Sequence, residues 1–197
     1  MPHPLSELED QPNEWQTSML KAPCADPAYC CFACFCAPCV VYMQRDEILG
    51  EEGKYKCCLG IFPCCQMDLP KIPCLCCEIC CCIGLAASAN RIFVMQRLQI
   101  KPDPCDQYII CCSNIMQCLA IFARCFCDDQ TANCIENIAD LIFCIVLACM
   151  NTQTNYEVKN NPTTGGTWPQ DTFLFEWRFP LNVFDLQQYR SYFWNRR

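Results

Sequence analysis

The sequence predicts a mainly α-helical protein: a Cys-rich bundle of about four helices, with an N-terminal arm and an extended aromatic C-terminal tail. Three observations predict it. Asp-Pro pairs at 26–27 and 103–104 join a side chain suited to the N-cap to a proline suited to the first helical position. Ile135, Ile138, Ile142 and Ile145 recur at helical spacing. The apolar fraction is 53% against 18% charged residues, which points to deep burial or to a membrane.

Residues 1–23 read as a polar, proline-containing arm. The first helix starts at Asp26-Pro27 and stops at Gly50, with Pro38 kinking or splitting it. Residues 51–73 form a turn-rich connector. Pro73 opens a second helix that runs to about Ile100, where "KPDP" ends it. Asp103-Pro104 starts a third helix, and a fourth runs from near Thr131 to Met150. The core is thus expected over 24–150. Residues 151–197 are expected to be a linker, "NTQTNYEVKNNPTTGGTWPQ", followed by a tail with nine aromatics.

The longest uncharged windows are 27–44 and 107–123. A span needs about 20 mostly apolar residues. The first window holds Pro27 and Pro38; the second holds Gln107, Ser113, Asn114 and Gln117. Neither reads as a clean span. A soluble bundle, and a helix pair dipping into a bilayer or packed on membrane subunits, both stay open. The opening "MPHPLSELEDQPNEW" is acidic and has no apolar run, so it resembles no cleavable targeting signal. The expected location is the cytosolic face of a membrane or an organelle membrane complex, with the mitochondrial intermembrane space as the alternative.

Charge argues against nucleic acid. The net charge is −7, and it divides as −4 over 1–29, −4 over 30–150 and +1 over 151–197. No segment offers a basic patch.

Twenty-five cysteines raise the main chemical question. Five fall within "CCFACFCAPC", residues 30–39. In a reducing compartment, clustered thiols favour metal ligation or plain burial over a disulfide framework. Zinc takes four ligands, and His3 is the one histidine, so any zinc site is all-thiolate or nearly so. The candidate ligands are Cys24, Cys30, Cys31, Cys36, Cys39, Cys57, Cys58, Cys64, Cys74 and Cys77, most of them near loops where geometry adjusts. Disulfides and simple packing remain alternatives for this cluster. Cys111, Cys112, Cys118, Cys144 and Cys149 lie within predicted helices and are expected to pack as small hydrophobes.

Catalysis has little to build on. A thiol nucleophile needs a neighbouring base, and His3 sits in the arm. No Gly-rich phosphate loop occurs among six glycines. No enzyme is expected. Trp15 in the arm and Trp168, Phe173, Phe175, Trp177, Phe179, Tyr192 and Trp194 in the tail are candidate anchors for other protein subunits, because aromatic residues dominate interface anchors.

The block "NEWQTSMLKAPCADPAYCCFACFCAPCVVYMQRDEIL", residues 13–49, resembles the Cys-rich cornifelin and plant cadmium-resistance family, also called the placenta-specific-eight family. Cys30 and Cys31 followed by Cys36-Ala-Pro-Cys39 carry the likeness. A closer likeness is to uncharacterised plant and algal Cys-rich proteins, through "NEWQT", the element Tyr55 to Cys64 and "ADLIFCIVLACMNTQ" at 139–153. The resemblance implies membrane association, divalent-metal handling or organ-size control, and no enzymatic activity. Two readings follow. One is a non-catalytic structural subunit of a larger, membrane-associated assembly, with its core stabilised by zinc or thiol chemistry. The other is a homo-oligomeric membrane protein for divalent-metal binding or efflux.

Overall fold

The computed structural model describes residues 6–49 and 71–168. All regular structure among them is helical: α1 (Ser6–Glu9), α2 (Ala22–Ala25), α3 (Pro27–Phe35), α4 (Ala37–Leu49), α5 (Lys71–Arg97), α6 (Pro104–Phe126) and α7 (Asp129–Asn160). The predicted connector 51–73 and the tail beyond Trp168 lie largely outside the described residues.

The Asp-Pro starts form as local chemistry dictates. The Asp26 carboxylate accepts from Tyr29 N at 3.0 Å, and Asp103 accepts from Cys105 N at 2.8 Å. Each satisfies an amide that the first helical turn leaves without a partner. Pro38 splits the first predicted helix. α3 and α4 form a pair bent by 112° at Cys36. The chain then folds back on itself, since Gln44 Nε2 donates to Tyr29 Oη at 3.1 Å and Ala33 packs with Val40 and Ala148.

α5 ends in a Schellman turn. Ile100 N donates to Met95 O at 2.8 Å, and Gln99 takes the left-handed position at φ 52° that glycine usually fills. That turn receives the arm: Asn13 bridges Ile100, and its side chain donates to Leu98 O at 2.7 Å. The arm is therefore part of the fold, with Leu8, Thr17 and Met19 buried.

Leu75, Ile79, Ala86, Ala89, Phe93 and Val94 of α5 form the middle of the core. Val41 and Ile48 of α4 and Leu147, Met150 and Val158 of α7 pack around them. Gly84 lets α5 approach α7 closely; a Cβ there would stand 3.3 Å from the Phe143 ring.

Two expectations are corrected. Residues 151–160 are no linker: α7 continues through Asn160, and Asn151 to Asn155, Glu157 and Val158 are buried. The window 107–123, read as a poor span, belongs to a helix that is long and apolar enough to cross a membrane, whereas 27–44 falls in two shorter helices. Pro73–Arg97, Pro104–Phe126 and Asp129–Asn160 each qualify, and the bent α3–α4 pair qualifies as a broken span or re-entrant loop. Pro27 and Pro38 lie in the first turns of α3 and α4, so the 27–44 window passes only as a bent pair.

Candidate functional site

The surface is the first unusual feature. α6 and α7 form an antiparallel hairpin whose outer faces are apolar. Phe126 is 82% exposed, Ile121 68% and Leu141 62%, and Tyr108, Phe122, Ile115 and Ile145 extend the same surface. Only 17% of the most apolar window of α6 is buried within the chain, and 28% of that of α7. Water-soluble monomers rarely leave apolar surface this continuous. Leaving one such side chain in water forfeits about 1.5–3 kcal/mol relative to burial. At 1.5 Å per residue, the 23 residues of α6 measure about 34 Å, enough for a hydrocarbon core of about 30 Å. Phe35, 91% exposed at the bend between α3 and α4, adds an apolar tip.

The interior is the converse. At the end where the arm, the α5–α6 turn and the last turns of α7 meet, the buried groups are polar. Asp106 Oδ2 accepts from Arg91 Nη2 at 2.9 Å and from Gln153 Nε2 at 2.8 Å, while Oδ1 accepts from Met19 N at 3.2 Å. Gln153 Nε2 also donates to Thr17 O at 2.8 Å, and Arg91 donates to Gln153 Oε1. Glu157 accepts from Gln16 N at 2.8 Å and from Asn161 Nδ2 at 3.0 Å. A second group surrounds the fully buried Arg45, which pairs with Glu78 at 3.1 Å and donates to Asn90 Oδ1 and Ala86 O. Buried charge is costly unless paired and hydrogen-bonded, and both arginines meet that requirement.

Outside the apolar helices, the polar rim shows ordinary surface electrostatics. Lys101 Nζ lies 2.6 Å from Glu14, which holds that carboxyl below its usual range. Asp128 caps α7 by accepting from Thr131 N at 3.0 Å, and that bond lowers its pKa as well.

Of the ten predicted metal ligands, seven lie among the described residues. Cys36 and Cys39 are bonded to each other across the bend. Cys24, Cys31 and Cys77 are exposed, Cys30 and Cys74 half-buried. Among the described residues no group of three or more Cys, His, Asp or Glu side chains is placed to hold a metal ion. Cys57, Cys58 and Cys64 lie outside the described residues.

A different thiol group does form, in the interface of α3 with α7. Cys30 packs against the buried cluster of Ala33, Val40 and Ala148. Cys144 Sγ stands 3.7 Å from Cys34 O. Only Cys30 of these was a predicted ligand. The i, i+4 spacing of Cys30 and Cys34 was legible as one helix face; the approach of α7 was not. The packing expectation for helical cysteines is corrected for two of the five: Cys149 is buried, Cys111 and Cys144 are half-buried, and Cys112 and Cys118 are exposed.

The predicted docking aromatics divide. Trp168 is buried in the core, and Trp15 is half-buried with the Arg91 guanidinium 4.2 Å above its ring. Both are occupied within the chain. Phe173, Phe175, Trp177, Phe179, Tyr192 and Trp194 lie outside the described residues.

No family model, no curated protein and no solved structure matches the chain.

Proposed function

We propose that the chain is an integral membrane protein that serves as a non-catalytic structural subunit of a larger assembly. The observation that carries the reading is the α6–α7 hairpin, whose length and outward apolar surface suit lipid. The polar interior supports the same role. Its buried carboxylates, Asp106 and Glu157, are each held by several hydrogen bonds within the chain, which suits a scaffold. Thiol chemistry, through the Cys36–Cys39 bond, fastens the bent α3–α4 pair. Other subunits dock on the lipid-facing surface and on the aromatic tail from Phe173 to Trp194.

Alkaline carbonate extraction of membranes expressing the full chain tests the reading. The protein is expected in the membrane pellet. Release into the supernatant, with the chain folded and soluble without detergent, overturns it. Removing residues 171–197 then tests the tail: retention in the pellet with loss of co-purifying subunits is the expected result.

A further inference from the structure

We propose that the α6–α7 hairpin is the seam of a homodimer, its occupant a second copy of this chain. The proposal rests on the membrane-embedded reading above. One flank of the hairpin interrupts the apolar surface with a polar stripe: Asn114, Gln117 and Arg124 on α6, and Glu136, Asn137 and Asp140 on α7. All are exposed except Gln117 and Glu136, which are half-exposed. Asp140 lies eleven residues into α7, about 16 Å from its start and so near the middle of a hydrocarbon core of about 30 Å. An ionisable group at that depth faces protein or water, not lipid.

Within one chain the two rows are already in register. Gln117 Nε2 donates to Asp140 Oδ1 at 3.2 Å, and Arg124 pairs with Glu136. Gln117 is therefore level with Asp140, and Arg124 with Glu136. A two-fold axis along the bilayer normal keeps every residue at its depth. It makes a four-helix arrangement in which each α6 neighbours its own α7 and the α7 of the second copy. The α6 row carries donors and the α7 row carries acceptors, so the ladder formed within a chain recurs between chains. The second N–H of Gln117 and the Oδ2 of Asp140 are the groups left for it. The stripe is thus complementary to itself under the symmetry that membrane dimers adopt.

The test is energy transfer between donor- and acceptor-labelled full-length chains in phosphatidylcholine vesicles, across a range of protein-to-lipid ratios. Transfer is expected to rise with protein density to a dimer plateau. The double variant Gln117→Leu/Asp140→Leu is expected to weaken association about tenfold, the effect of losing two symmetry-related hydrogen bonds between membrane helices. Asp140→Asn, which keeps the hydrogen bonding, should stay close to the wild type. Phe122→Ala, on the opposite flank, should leave association unchanged. Monomers at every density, wild-type association of the double variant, or an equal loss from Phe122→Ala each overturn the proposal. Carbonate extraction of the same samples tells such a failure from failure of the membrane reading, since only the latter releases the chain.

Discussion

Arg91 and Asp106 meet at 2.9 Å in the buried interior, joining the last turns of α5 to the first turn of α6. The same carboxylate accepts from Gln153 of α7 and from the Met19 amide of the arm. One side chain thus holds four parts of the chain together. Asp106→Ala leaves the Arg91 guanidinium buried without its counter-charge and is expected to cost about 3–5 kcal/mol. Denaturant titration of the detergent-solubilised protein checks this. A paired change, Arg91→Met with Asp106→Leu, should recover much of the loss, because removing both charges removes the desolvation cost with them. A loss under 1 kcal/mol for Asp106→Ala would mean that the pair is not buried as described.

Gly84 tests the packing of α5 on α7. Phe143 ring atoms lie 3.3 Å from where a Cβ would stand. Alanine presses on a ring that is able to shift by a few tenths of an ångström, so its sign is not fixed by geometry. A leucine has nowhere to go without moving a helix. Gly84→Leu is expected to destabilise by about 1–3 kcal/mol. Thermal unfolding followed by circular dichroism reads the effect, and an unchanged midpoint would contradict the close approach of these helices.

Asp128 gives a pH dependence whose sign follows from its bond to Thr131 N. The folded state holds the carboxyl below its ordinary range, because the helix start stabilises the charged form. Its contribution is therefore fully present above the unfolded pKa, about 4, and is lost as pH falls through the lower folded value. Asp128→Asn retains a capping oxygen without the charge. The variant's stability curve should be flatter than the wild type's below about pH 4. Identical curves for both proteins would show that this cap does not titrate with folding.

How far the sequence could be read depended on which side of each helix carries the signal. Asp26-Pro27 and Asp103-Pro104 mark helix starts because capping is local, and both caps form. The end of α7 was illegible for the opposite reason. Asn151, Thr152, Gln153, Thr154, Asn155 and Glu157 read as linker by polarity, yet they are buried among Arg91, Asp106, Gln44 and the arm. Hydrophobic periodicity does not register a helix whose buried face is polar. The cysteines failed similarly. Cys112 and Cys118 look like core residues by composition, whereas a chain that turns apolar surface outward needs no core for them. Metal-ligand spacing carried no information on which thiols meet, because Cys144 reaches Cys34 of α3 through tertiary packing alone.

The exposed cysteines themselves provide a decisive probe of where the lipid lies. Cys105 stands at the first turn of α6 and Cys127 just past its last, both at the polar margins. Cys112 and Cys118 stand between them, each about 12 Å from the nearer helix end and likewise exposed in the isolated chain. In a water-soluble bundle all four thiols meet solvent and react alike. In a bilayer the middle pair faces hydrocarbon, where the thiolate that attacks a maleimide scarcely forms. Reconstituted protein, treated with a membrane-impermeant maleimide supplied on both sides, is therefore expected to label at Cys105 and Cys127 and to spare Cys112 and Cys118. Peptide mapping by mass spectrometry reads each site. Denaturation in detergent should make all four reactive, which shows that none was blocked covalently. Rapid labelling of Cys118 in intact vesicles would place α6 in water and remove the support for a membrane-embedded hairpin.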